Sequence, residues 1–380
     1  MLKYLYVVLC FCIFLPVTQP QVNRIKTSSS YPPGNWDRII DGEVFTDTLS
    51  LDTGDDNVLI INTVFHSIDD HAIMLRNVSN IYIKDCEIYD VNGFGILLRG
   101  TGSTNNVTIE GCKIYNTKAS GVMASQRSED GVDHHNLVIR NNTIFNNGTN
   151  DHEHNIYVQA TDSLIENNTV YNSSGNGISI RSTGVVRNNV IWNSAKSCIR
   201  YFNDHQPGPS DTLIVEGNFC QLADPGFDGS PGISLLQSKL SPKDWLADNY
   251  YVRNNTIVVL TDERFGFSVE SKVFDNKFVS VYENVVINTK NIEKTINPRY
   301  IDYYSNNEKS TSLAALVNYP QNPELQLPTA DDVGETYNYD YSVNGDKRQL
   351  LMLAYVLIVI LVCGIFILAI QKRRKTKDGS

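Results

Sequence analysis

The chain has 380 residues, of which 19% are charged and 41% hydrophobic, and its formal net charge is −10. That length allows one large domain or two small ones. The acidic balance excludes general nucleic-acid binding, because phosphate contacts need clustered Lys and Arg.

Lys3 precedes an apolar run at 5–17, broken by Pro16 and Pro20. A charged start and a short apolar core read as a secretory signal peptide over residues 1–21. Residues 22–57 are expected to form an N-terminal cap and a first, irregular coil. From 58 to 296 the chain is repetitive. Aligned on the second Asn of each Asn-Asn pair, one position is filled by Cys86, Cys112, Asn142, Asn168, Asn189, Asn218, Asn255 and Asn284, with Thr63 one unit earlier. The intervals are 26, 30, 26, 21, 29, 37 and 29 residues. Short β-prone segments stand before it (NIYIKD, NVTIEG) and after it (EIYD, KIYN, TVYN), and a third follows a turn (FGILLRG, HNIYVQA, NGISIRS). Helical spacing is absent throughout. Such a unit cannot bury its own apolar face, and stacking units end to end solves the problem. The predicted fold is therefore all-β, a single-stranded parallel β-helix solenoid. An Asn repeating at one turn would stack on its neighbours about 4.8 Å away and form a hydrogen-bonded ladder.

Residues 297–346 lose the repeat and become rich in Tyr, Asn, Pro and Asp, which predicts a C-terminal cap and an extended stalk. The segment 350–370 is free of charge. At 1.5 Å per residue it covers about 31 Å, the thickness of a hydrocarbon core. A transmembrane helix is expected over 347–371. Lys372, Arg373, Arg374 and Lys375 follow as a positive-inside cluster in a basic cytoplasmic tail, 372–380. A signal peptide plus one C-terminal span gives a single-pass type I membrane protein with its ectodomain extracellular or lumenal. The tail contributes +4, which leaves −14 for the remainder.

Of seven cysteines, Cys10 and Cys12 lie in the signal and Cys363 in the span. Cys86, Cys112, Cys198 and Cys220 remain, an even number for an oxidising compartment. Four cysteines allow three pairings, and arithmetic alone does not choose among them. Seven N-x-[ST] sequons occur. Asn141, Asn167 and Asn254 are by-products of the Asn-Asn-Thr repeat, so Asn77, Asn106, Asn147 and Asn172, in predicted turns, are the expected glycan acceptors.

The stretch LIENNTVYNSSGNGISIRS resembles the repeats of right-handed parallel β-helix proteins, the pectate-lyase-like superfamily. The resemblance implies a right-handed coil and an exterior ligand groove along one parallel sheet. It does not choose an activity, because many activities share that fold. Cys86 and Cys112 occupy one ladder slot a unit apart, and neighbouring strands lie within disulfide reach. Cys86–Cys112 and Cys198–Cys220 are therefore the expected bonds, with buried free thiols as the alternative. The ordered motifs of polygalacturonases are missing, as is the Asp-Pro-His signature of alginate epimerases, since Asp70-His71 and Asp151-His152 lack the proline.

In NGISIRS, Ile178 and Ile180 point inward, so Asn176, Ser179 and Arg181 face the groove. The same register puts Arg76, Arg99 and Gln159 in Arg181's column, Tyr157 in Ser179's, and His71 and His154 in Asn176's. Arg76 and Arg99 become vertical neighbours about 5 Å apart, a placement that calls for an anion between them. A uronate or sulfate of a glycan, an Asp or Glu from a flanking loop, or plain solvation would serve. In KSCIRYF a one-residue shift puts Ile199 and Tyr201 inside and Arg200 outside. The ligand-binding candidates are thus Arg76, Arg99, Gln159, Arg200 and His71. A uronate lyase or epimerase needs a cation on the carboxylate, a base for the C5 proton and an acid for the leaving group. Arg181, His154 or Lys196, and Tyr157 are the candidates for those roles. His152 and His154 alternate faces, so no metal site is assigned. No cofactor is required, and Ca2+ is compatible but not indicated. The favoured reading is a type I membrane glycoprotein that binds carbohydrate, as polysaccharide or glycoprotein glycans, at a cell or virion surface. The alternatives are a membrane-anchored polysaccharide lyase or epimerase acting on uronic-acid glycans, and a structural spacer or adhesion ectodomain with no small ligand.

Overall fold

The computed structural model describes residues 31–100, 102–125, 134–222, 229–237, 245–270 and 277–312. The expected signal peptide, span and tail lie outside the described residues, as does most of the stalk. Among the described residues no helix is long and apolar enough to cross a membrane.

Short strands wind through three parallel sheets of eleven, eleven and nine strands. One turn of the coil is Leu137–Arg140, Thr143–Phe145 and Ile156–Val158. The next is Ser163–Glu166, Thr169–Ser173 and Ile178–Ile180. Each strand pairs with its counterpart one turn on: Ile139 with Ile165, Ile144 with Val170, and Ile156 with Ile178. This is the coil that the repeat predicts, though longer than 58–296. It begins at Arg38–Asp41, which pairs with Val58–Ile61, and it runs to Glu308–Ser310. Isoleucine, valine and leucine from all three sheets meet inside the coil and are almost wholly buried. Each contributes roughly 1.5–3 kcal/mol. At the last turn Tyr304 and Lys309 take the inward register positions, with the Lys309 Nζ 5.4 Å from the Tyr304 ring centroid. A polar pair and charged edge residues thereby end the apolar core.

The Asn-Asn pairs do two jobs. The first residue of each pair bends the chain with a positive φ: Asn141 at 56°, Asn167 at 55°, Asn188 at 53° and Asn254 at 54°. Gly111 and Gly217 fill the same place at 66° and 64°. Left-handed backbone is open to Gly and tolerated by Asn, so the column is restricted by sterics. The second Asn is the ladder rung. Asn168 Oδ1 accepts from the Asn142 backbone N–H at 3.0 Å and from Asn142 Nδ2 at 2.9 Å. Asn168 Nδ2 in turn donates to Ile139 O and to Asn189 Oδ1, both at 2.9 Å. The pattern continues through Asn218, Asn255 and Asn284 to Asn307.

Two expectations fail here. Cys86 and Cys112 are buried free thiols that point to main-chain carbonyls: Cys86 to Lys84 O at 3.3 Å and Cys112 to Glu110 O at 3.4 Å. Side chains stacked in one slot run parallel and keep the strand spacing of about 4.8 Å, whereas a disulfide needs Cβ atoms about 3.8 Å apart and facing. Cys198–Cys220 does form, with a Cα–Cα distance of 5.9 Å. Cys198 precedes a strand of the third sheet and Cys220 lies in the second, so the pair faces across the interior. The second failure is Asn147, which is no surface acceptor but 1% exposed. Its Oδ1 accepts from the Thr117 N–H at 3.1 Å, and its Nδ2 donates to Asn155 Oδ1 at 2.9 Å. Of the other sequons, Asn106 is exposed, while Asn77 and Asn172 are half-buried.

The outer faces carry two further ladders. On the first sheet one outward column reads Lys84, Glu110, Arg140, Glu166, Arg187, Glu216, Arg253. Arg140–Glu110, Arg187–Glu166 and Arg253–Glu216 each pair at 2.7 Å. On the second sheet His66, Tyr89, Tyr115, Phe145, Tyr171 and Trp192 stack ring on ring, with centroids 4.4–5.4 Å apart.

Candidate functional site

The third sheet aligns the candidates as expected. Leu75 pairs with Leu98, which sets Arg76 beside Arg99, and Val158 pairs with Ile180, which sets Gln159 beside Arg181. Arg200 pairs with Ser179 while Ile199 and Tyr201 face inward, so the one-residue shift is correct.

The environments of these side chains differ from the sequence reading. Arg76 does not wait for an anion from outside. Its Nη2 donates to Asp52 Oδ2 at 2.7 Å and its Nε lies 2.5 Å from Asp52 Oδ1. Asp52 is the register neighbour one turn back, because Leu51 pairs with Leu75. A hydrogen bond from Arg76 holds the Asp52 carboxyl below its usual range. Arg99 is exposed and has no ion-pair partner among the described residues. Outward-facing Met74, Leu97 and Met123 form an apolar strip beside it, with Leu97 buried at its centre.

Arg181 is clamped. Its guanidinium lies between the Tyr157 and Phe202 rings, 4.4 and 4.7 Å from their centroids. Nε donates to Ser179 Oγ at 3.0 Å and Nη1 to Asp204 Oδ2 at 2.9 Å. Gln159 Nε2 donates to Asp204 Oδ1 at 3.2 Å, and the Tyr157 hydroxyl bonds the same carboxylate. Burial pushes the Tyr157 phenol well up, and Asp204 adds to this while Arg181 opposes it. Asp204 thus gathers three of the named candidates, and sequence reasoning missed it. It lies in the loop beyond Ile199–Phe202, where no register applies.

His154 is 3% exposed and stacks on Tyr157 at 5.6 Å. Its Nδ1 accepts the Asn176 backbone N–H at 2.9 Å. Burial, then the charges of Arg181, Lys196 and Arg200, hold its pKa well below the ordinary histidine value. The neutral ring accepts at Nδ1 and therefore carries its proton on Nε2, where it can donate. His71 does the same for the Phe94 N–H at 3.2 Å. Between and beyond them, Ser120 Oγ accepts from the His154 N–H and Asn176 Oδ1 from the Ser197 N–H. In this column His71, Ser120, His154 and Asn176 each cap the next turn's backbone, and Phe94 between them does not.

Lys196 Nζ pairs with Asp151 Oδ2 at 2.8 Å and is mostly buried. Burial raises the Asp151 carboxyl, but Lys196 and then His152 outweigh that and hold it low. Arg200 donates to Ser230 Oγ at 3.0 Å and lies 3.4 Å from Glu270 Oε1. Neither is the free group that a groove residue would need to be. Continued one turn before Arg76, the Arg181 column reaches Asp52, and continued forward past Phe202 and Leu236 it reaches Glu270. Asp151 and Asp204 are loop residues that no spacing placed. Among the described residues no group of three or more His, Cys, Asp or Glu side chains could hold a metal ion.

These sheets and ladders define a parallel β-helix. A family model described as a right handed beta helix region matches residues 49–220. No curated protein matches the sequence. Among solved structures the chain is similar to the A-module of mannuronan C-5 epimerase AlgE6 of Azotobacter vinelandii, at 15% identity and a TM-score of 0.39, over 70% of this chain and 84% of that one. It is also similar to the Dettilon tailspike protein gp208, at 16% identity and a TM-score of 0.34, over 70% of this chain and 61% of that one. For pectate lyase Pel9A the figures are 11% identity and 0.36, over 73% of this chain and 68% of that one. At these identities and scores function has to be argued from the site.

Proposed function

We propose that the protein is a single-pass type I membrane glycoprotein whose β-helix binds carbohydrate at a cell or virion surface through the outer face of the third sheet. The observation that supports binding is Arg99. It is exposed, lacks an ion-pair partner among the described residues, and stands near the outward Met74 and Met123. A guanidinium in that setting suits a uronate or sulfate held by two parallel hydrogen bonds. The candidate catalytic groups are engaged: Arg181 by Asp204, Lys196 by Asp151, and His154 Nδ1 by a backbone amide. A groove with a cation and no poised base favours recognition over turnover. The test is binding of full-length protein in detergent to alginate, pectin and glycosaminoglycans. Arg99→Ala is expected to abolish binding of the acidic glycan and leave the unfolding temperature unchanged. Equal binding by Arg99→Ala, or none by the wild type, overturns the proposal.

One cluster supports the lyase or epimerase reading. Tyr157, Gln159 and Arg181 meet on Asp204, with His154 Nε2 free to donate beside them. Unsaturated uronate absorbance, or solvent deuterium entering at C5, would establish that chemistry.

A further inference from the structure

The central outward column of the third sheet is apolar over three consecutive turns, at Met74, Leu97 and Met123. Ser50 stands before them, and Tyr157, Ser179 and Arg200 follow. These three are not core residues, since their strand neighbours Ile73, Ile96 and Val122 fill the interior. Leu97 is 1% exposed, whereas Met74 and Met123 on either side of it are half-buried. Phe94, also half-buried, leads into the Leu97 strand. The chain has four methionines, and these two are the only ones among the described residues. Neither fills a core gap, the usual use of a thioether. Both instead offer a polarizable, adaptable surface on the face that carries Arg99.

The charge beside this patch narrows what it can hold. Arg99 follows Leu97 by two residues and shares its face, so their Cα atoms are about 6.6 Å apart. The exposed guanidinium calls for an anion, and the methionines call for an apolar group of a few atoms. One column across three turns is far smaller than the roughly 800 Å2 that each partner of a protein interface buries. A plain uronate or sulfate would satisfy Arg99 and leave the methionines wet. We infer that the glycan held at Arg99 is acetylated, with its carboxylate or sulfate on the guanidinium and the acetyl methyl against Met74 and Met123. One sugar residue spans the two contacts. This rests on the carbohydrate reading above and adds the class of glycan to it.

The experiment titrates full-length protein in detergent with two matched pairs of acidic glycans. The first pair is O-acetylated alginate and the same polymer after mild alkaline de-esterification. The second is hyaluronan that has been N-deacetylated and then re-acylated with either formyl or acetyl groups, so that its members differ by one methyl and not in charge. The acetylated member of at least one pair is expected to bind about fourfold tighter for each methyl buried, and the pair that responds tells an ester from an amide. Met74→Gln with Met123→Gln is expected to bind both members alike at an unchanged unfolding temperature, whereas Met74→Leu with Met123→Leu keeps the preference. Arg99→Ala is expected to bind neither member. Equal binding within both pairs, by a wild type that still needs Arg99, overturns this inference and leaves the carbohydrate reading standing. So does a preference that the Gln variant retains. A wild type that binds none of the four glycans removes both.

Discussion

At the scale of single residues, asparagine carries the fold in two ways that composition alone would hide. The first Asn of each pair accepts a left-handed backbone, and the second satisfies the amide of the turn before it. Asn168 makes this quantitative. Replacing it with Ala leaves the Asn142 N–H and Nδ2 buried without that acceptor and removes two donated bonds. A loss of about 3 kcal/mol is expected from buried unsatisfied groups, measured by denaturant unfolding. The exposed Asn106 gives the contrast. Asn106→Gln is expected to remove a glycan from protein made in a secretory pathway, seen as a mobility shift, whereas Asn147→Gln is expected to change stability and not glycan mass. His154 has a pH signature. Its folded pKa is depressed, so its contribution to stability is present above the unfolded value of about 6.5 and is lost as pH falls through the folded value. Unfolding free energy measured against pH should decline over that window, and His154→Gln should flatten the decline.

At the scale of elements, each turn is held to the next by columns of unlike chemistry: amides, rings, ion pairs and one disulfide. The Cys198–Cys220 bond ties the residue just before a third-sheet strand to a strand of the second sheet across the coil interior. Replacing both with Ala should cost about 3 kcal/mol for a loop of this size, read from the denaturation midpoint. Cys86 and Cys112 should resist alkylation until the coil unfolds. The alternating Glu and Arg column adds acid sensitivity. Burial raises the Glu110 carboxyl, but bonds from Tyr82 and Arg140 outweigh this and hold it low. Its contribution is therefore kept above about pH 4.3, the unfolded value, and lost as pH falls through the lower folded value. Glu110→Gln should make acid unfolding less steep.

At the scale of the whole molecule, stability and recognition fall on different faces. The first sheet presents a neutralised charge ladder, the second an aromatic stack, and the third the candidate glycan face. On the third face the decisive comparison is between arginines in one column. Arg181→Ala should lower stability, because its guanidinium is sandwiched by two rings and paired with Asp204. Arg99→Ala should leave stability unchanged and affect binding alone. Equal behaviour of the two variants would mean that the face has no separate binding role.

The sequence by itself determined the coil, the register of Arg76, Arg99, Gln159 and Arg181, and the outward turn of Arg200. These follow from local periodicity, because side chains alternate along a strand and one slot repeats at every turn. Only the tertiary structure decided which of those groups are free. Asp52, Asp151, Asp204 and Glu270 neutralise their cations across turns of the coil, and two of the four stand in loops that no period governs. The same limit explains the cysteines and Asn147. A shared slot or a sequon gives position along the chain, while bonding and exposure depend on which way a side chain points once the neighbouring turn is in place.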